Sequence, residues 1–158
     1  MIRLFDSARG EVVDVETREP GHLSMYVCGP TVYDVPHVGH GRFTLVWDVA
    51  RRWYSYLGYD VRYVSNVTDV DDKIIARAAA ESRTESDVAA EFEARWFESM
   101  DTLGVARPDE SPRATEYIVD MVELISDLVL RGVAYQTSDG VYFDVAQIDD
   151  YGLLAGQP

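Results

Sequence analysis

An α/β fold with a parallel pair of strands is what this sequence of 158 residues predicts. Three observations carry that expectation. Leu23–Cys28 is a compact apolar run stopped by Gly-Pro, which reads as a buried strand. From about Val38 to Leu57 the pattern turns helical: Val38, Leu45, Val46, Val49, Trp53 and Leu57 share one broad face, and Gly58 is the natural stop. Val61–Val67 then reads as a second buried strand. Strand, loop, long helix and strand form a βαβ unit, which implies parallel pairing through a right-handed crossover.

The other elements follow in order. Ile2–Phe5 and Val12–Glu16 read as short strands around an Ala-Arg-Gly turn, and Gly29–Pro36 as a loop. Val70–Ala80 is alanine-rich and helical. Thr84, with Asp87 three residues on, can cap a helix that runs to Leu103 and buries Val88, Phe92, Trp96 and Met100 or their neighbours. Gly104 ends it. Arg107–Pro112, with two prolines and two acids, reads as a linker or domain edge. A further helix spans Ala114–Leu130, and Val133–Val145 is a hairpin turning at Ser138-Asp139-Gly140. No final element is expected in the closing Leu-Ala-Gly-Gln-Pro.

Composition narrows the function classes. Hydrophobic residues at 47% and charged residues at 27% are globular proportions. A net charge of −14 repels nucleic acid over most of the surface, so a nucleic-acid partner needs a local basic patch. One cysteine makes no internal disulfide, no stretch is apolar enough for a membrane span, and MIRLFDSARG lacks a signal-peptide core. A cytoplasmic protein without membrane contact is expected.

The chemistry concentrates in one segment, Met25–Arg42, which holds Cys28, His37 and His40, the only thiol and two of the three histidines. His37 and His40 fall at the start of the long helix, after a parallel strand. Ligands of open α/β sheets bind outside the carboxyl ends of strands, and helix N-termini suit phosphate. Gly39 removes a side chain between the histidines, so a flat ring or a phosphate can approach the backbone. Both imidazoles could donate to phosphate oxygens as charge develops. Ordinary surface histidines at a helix start give the same spacing, and a lone cysteine at a strand end is commonly a small buried hydrophobe. Asp69, Asp71 and Asp72 read as caps and dipole partners more simply than as a magnesium site. His22 reads as a surface residue, Arg113 as a structural anchor, and Trp47, Trp53 and Trp96 as core or groove-lining residues.

Longer blocks are more specific. Y-V-C-G-P-T-V-Y-D, H-V-G-H-G-R, N-V-T-D-V-D-D-K-I at Asn66–Ile74 and P-R-A-T-E-Y-I at Pro112–Ile118 stand together in an order that resembles the cysteinyl-tRNA synthetase family. The resemblance covers nearly the whole chain. It implies a Rossmann-like parallel sheet, the first half of a class I synthetase catalytic domain over residues 1–111, with the start of a connecting insertion over 112–158. It implies ATP with magnesium, cysteine and tRNA(Cys) as reaction partners. Residue by residue, Cys28 matches a zinc-binding cysteine whose metal takes the substrate thiolate. His37 and His40 match the histidines that hold ATP phosphates, and Gly39 the glycine beneath the adenine. Gly29, Thr31, Thr68 and Asp69 fall at the amino-acid pocket.

Members of that family are considerably longer. Their remaining zinc ligands, lysine-rich KMSKS loop and anticodon-binding domain are not found here, and Lys73 is the sole lysine. A closed zinc site is not expected from one copy. The chain therefore reads as a partial product with weak or no activity alone, with an apolar sheet edge that invites self-association. Three other readings compete: the mycothiol-pathway ligase that passes cysteine to an amino-sugar, a small HxGH nucleotidyltransferase, and a non-catalytic binding module derived from a synthetase.

Overall fold

The computed structural model describes residues 2–154. They divide into two compact units: Thr17–Glu116, and the described residues of Met1–Glu16 together with those of Tyr117–Pro158.

The larger unit holds the βαβ element. Strand β3 (His22–Val27) leads through a loop into α1 (Val38–Tyr56), which returns to β4 (Asp60–Ser65). The strands pair in parallel, with His22 opposite Asp60 and Val27 opposite Ser65. Gly58 turns the chain at φ +92°, a left-handed geometry that glycine adopts without strain. Helices α2 (Asp72–Glu81) and α3 (Glu85–Thr102) follow. Their inner faces build the core with the loop and the end of β4: Val32, Val67, Ile74, Ala78, Val88, Ala89 and Phe92 pack together, with Tyr33 and Phe97 against them.

Two features depart from the sequence reading. Arg107–Pro112 is not a free linker. Asp109 N–H donates to the Tyr63 carbonyl, Ser65 N–H to the Glu110 carbonyl and Val67 N–H to the Pro112 carbonyl, so this stretch lies along β4 as an irregular parallel edge. Pro108 and Pro112 lack N–H donors and keep it from becoming a regular strand. Helix α1 holds the preceding turn through its polar side. Buried Asp48 accepts from Ala106 N–H (3.0 Å) and from Arg52 Nε (2.8 Å), while Arg51 donates to the Arg107 carbonyl (2.6 Å) and to Asp109 (2.6 Å). The second departure follows from the first. Gly41, Asp48 and Tyr54 form the buried side of α1, and the apolar stripe read from the sequence stays open, with Val38 90% and Val49 62% exposed.

The smaller unit contains the β1 (Arg3–Asp6) and β2 (Glu11–Asp14) antiparallel hairpin. It also contains α4 (Ile118–Leu130) and the hairpin of β5 (Ala134–Gln136) and β6 (Val141–Phe143). A 3-10 turn at Ala114–Tyr117 leads into α4, and Gly132 stops it at φ +74°. The closing residues 155–158, read as lacking a final element, lie outside the described residues.

Candidate functional site

The loop between β3 and α1 is built against the end of β4. Gly29 N–H donates to Asn66 Oδ1 (2.8 Å), and a Cβ on Gly29 would lie 1.6 Å from the Asn66 carbonyl oxygen. No side chain fits there, so glycine is required by packing alone. Asn66 Nδ2 donates onward to Thr68 Oγ1 (3.1 Å). Thr31 and Thr68 form a parallel bridge, closed by Val32 N–H to the Thr68 carbonyl (3.1 Å) and Thr68 N–H to the Pro30 carbonyl (2.9 Å). Gly29, Thr31 and Thr68 are thus brought together, with Asn66 as the amide that links them. Sequence reasoning passed over Asn66. Its signal was its place at the head of the N-V-T-D-V-D-D-K-I block, which gave it no role of its own.

At the other end of the loop His37 is the N-cap of α1. Its Nδ1 accepts from Gly39 N–H (3.1 Å), and His40 Nδ1 accepts from His37 N–H (3.1 Å). This is a reciprocal capping box built from two imidazoles instead of a hydroxyl and a carboxylate. The backbone can only donate, so each neutral ring carries its proton on Nε2. The rings stack with centroids 3.9 Å apart. A Cβ at Gly39 would sit 2.9 Å from His37 Cε1, so the space opened by the glycine is filled by the His37 ring itself. Partial burial, followed by the neighbouring His37 charge, holds the His40 pKa below the usual imidazole range. No acidic residue stands in the first turn. The positive end of the helix is therefore not neutralised by a carboxylate, and the N-cap His37 beside it is exposed.

Cys28 is exposed at the end of β3. It lines a small pocket with Phe43 and Thr44 of α1, Tyr63 and Ser65 of β4, and Trp96 of α3. Burial raises the Tyr63 pKa. Among the described residues no group of three or more His, Cys, Asp or Glu could hold a metal ion. The residues around Cys28 therefore do not fit a zinc site; the thiol can offer one donor and no more. Asp69 turns away from the two threonines: its carboxylate accepts from Thr115 N–H (3.0 Å) and from the Thr115 hydroxyl. Arg113 grips Glu93 with two parallel bonds (2.7 and 2.8 Å) and reaches Glu116, the anchor expected of it. His22 lies on the surface, bonded to Asp60 (3.1 Å).

Comparison with known proteins bears on this arrangement. The model of the tRNA synthetases class I (C) catalytic domain matches residues 14–158. A cysteine--tRNA ligase of Cupriavidus pinatubonensis is 49% identical over 158 residues, covering 99% of this chain and 34% of that protein. One from Ralstonia pickettii is 50% identical over 157 residues, with the same coverage of 99% and 34%. Among solved structures, the Mycobacterium tuberculosis methionyl-tRNA synthetase in complex with methionyl-adenylate superposes with a TM-score of 0.63. It is 23% identical and covers 72% of this chain and 23% of that one. That likeness shows the shared α/β fold. The chain spans about a third of the length of the curated relatives it matches.

Proposed function

Because this chain belongs to the class I (C) tRNA synthetase catalytic-domain family, we propose that it carries the nucleotide end of a site that activates cysteine with ATP and passes it to tRNA(Cys). The observation that carries this reading is the stacked pair His37 and His40 at the N-terminus of α1, with both Nδ1 atoms bound to backbone N–H groups.

In the reaction the cysteine carboxylate oxygen bonds to the α-phosphorus of ATP, and the bond from that phosphorus to the bridging oxygen breaks. Cysteinyl-adenylate forms and pyrophosphate leaves with magnesium. Charge grows on the phosphate oxygens, where Nε2–H donors and a helix N-terminus stabilise it most. The donors are fixed in advance, so little reorganisation is needed. A terminal ribose hydroxyl of tRNA(Cys) then bonds to the cysteinyl carbonyl carbon as the acyl–phosphate bond breaks and AMP leaves, and no covalent enzyme intermediate is required.

Gly29, Thr31 and Thr68 form one wall of the amino-acid pocket in this reading, and Gly39 serves the nucleotide end by making room for the His37 ring rather than for the adenine itself. Asp69 acts indirectly, by holding Thr115. Cys28 offers a single exposed thiol beside this pocket, and no step passes through a metal. Residues 112–158 begin a connecting insertion.

The test is cysteine-dependent ATP–pyrophosphate exchange by the synthetase that carries this chain. His40→Ala is expected to lower it by about 10²-fold, the usual cost of one transition-state donor. Unchanged exchange would overturn the assignment.

A further inference from the structure

His37 and His40 are held differently. The His37 ring is fixed by its own helix, through Gly39 N–H and the space above Gly39. The His40 ring has the His37 ring on one face and, from outside its own helix, the indole of Trp96 in α3. The two centroids lie 5.5 Å apart at an interplanar angle of 72°, the edge-to-face geometry that aromatic pairs prefer. Trp96 is half-buried and lines the pocket that Cys28 also lines. It is the one aromatic contact that ties α3 to the paired histidines among the described residues. An imidazole without such a contact exchanges its proton between Nδ1 and Nε2, and rotates between rotamers, at little cost.

We propose that Trp96 is a positioning residue for His40: the indole clamps the imidazole against His37, so that Nδ1 stays on the His37 N–H and Nε2 remains the donor. The inference rests on the nucleotide reading for its purpose but not for its test. His37 is the titratable neighbour acting on His40, and Arg42 and Glu98 line the adjoining cleft with His37. Recording at a pH of about 8, well above the lowered pKa of His40, lets its tautomer report on geometry alone.

The experiment is nitrogen-resolved NMR of the 158-residue chain, whose three histidines are separable by single His→Gln variants. In the unsubstituted chain we expect a single Nε2–H tautomer at His40 and a nuclear Overhauser contact between the Trp96 indole and the His40 ring. Trp96→Leu is expected to shift His40 toward a mixture of both tautomers, leaving His22 unchanged, and Trp96→Phe to restore most of the single tautomer. A missing indole–imidazole contact in the unsubstituted chain overturns the proposal. So does a His40 tautomer that stays pure in a folded Trp96→Leu chain. If the leucine variant does not fold, the contact in the unsubstituted chain and the phenylalanine variant decide. None of these readings uses ATP, so the clamp can fail while the nucleotide reading stands, and the reverse.

Discussion

The first turns of α2 and α3 meet the same need as the first turn of α1 with different chemistry. Asp71 caps α2 by accepting from Lys73 N–H (2.9 Å), with Asp72 in the first turn. Thr84 caps α3 by accepting from Asp87 N–H (3.1 Å), with Glu85 and Asp87 in the first turn. In both, fixed negative charge neutralises the positive end of the helix and adds stability. Helix α1 has imidazoles at the same positions and no acid. The imidazoles satisfy the His37 and Gly39 N–H groups, yet no carboxylate neutralises the positive end of the helix. Two helix ends of this unit are closed for stability, and the third is capped in a way that leaves room for an anion.

The contrast can be broken at several points. The largest expected effect is that of His40→Ala on exchange, about 10²-fold. Gly39→Ala comes next. Alanine favours a helix over glycine by about 1 kcal/mol, yet its Cβ would meet His37 at 2.9 Å and displace the ring. Exchange should fall by about tenfold as the donor moves out of line, while the urea midpoint holds or rises. Parallel losses of activity and stability would mean that the histidines are only a cap.

Thr84→Ala should do the opposite, lowering stability by about 1 kcal/mol in urea denaturation and leaving exchange unchanged. The smallest effect is on pH dependence. The folded His40 binds its proton less readily than the unfolded one, so the unfolded state takes up more protons as pH falls through about 6.5. Stability contributed by the neutral ring is complete above that pH and declines down to the lowered folded pKa. His40→Gln should flatten this decline between about pH 8 and pH 5, as read from urea midpoints. An equal slope in both proteins would place the titration elsewhere.

Much of this was legible because it is periodic or local. The βαβ unit followed from two apolar runs around a 3.6-residue pattern, the Thr84 cap from its spacing to Asp87, and the β5–β6 hairpin from Ser-Asp-Gly. The clustering of Cys28, His37 and His40 in one segment was visible for the same reason. What was not legible depends on tertiary neighbours. Arg107–Pro112 looked like a linker because two prolines mask an edge that pairs through its other residues. The apolar stripe of α1 was read correctly as a face, but buried Asp48 directs the opposite side of the helix inward. Asn66 heads a quoted block and Trp96 has no motif, but both matter through Gly29 and His40, which only the fold brings near them.

The most direct test of the central claim is titration of the 158-residue chain with ATP, following the ring resonances of its three histidines. If the N-terminus of α1 takes the phosphates, His37 and His40 shift together and saturably, while His22, paired with Asp60 at the far end of β3, does not move. Unmoved His37 and His40 signals, or equal drift of all three histidines, would contradict it.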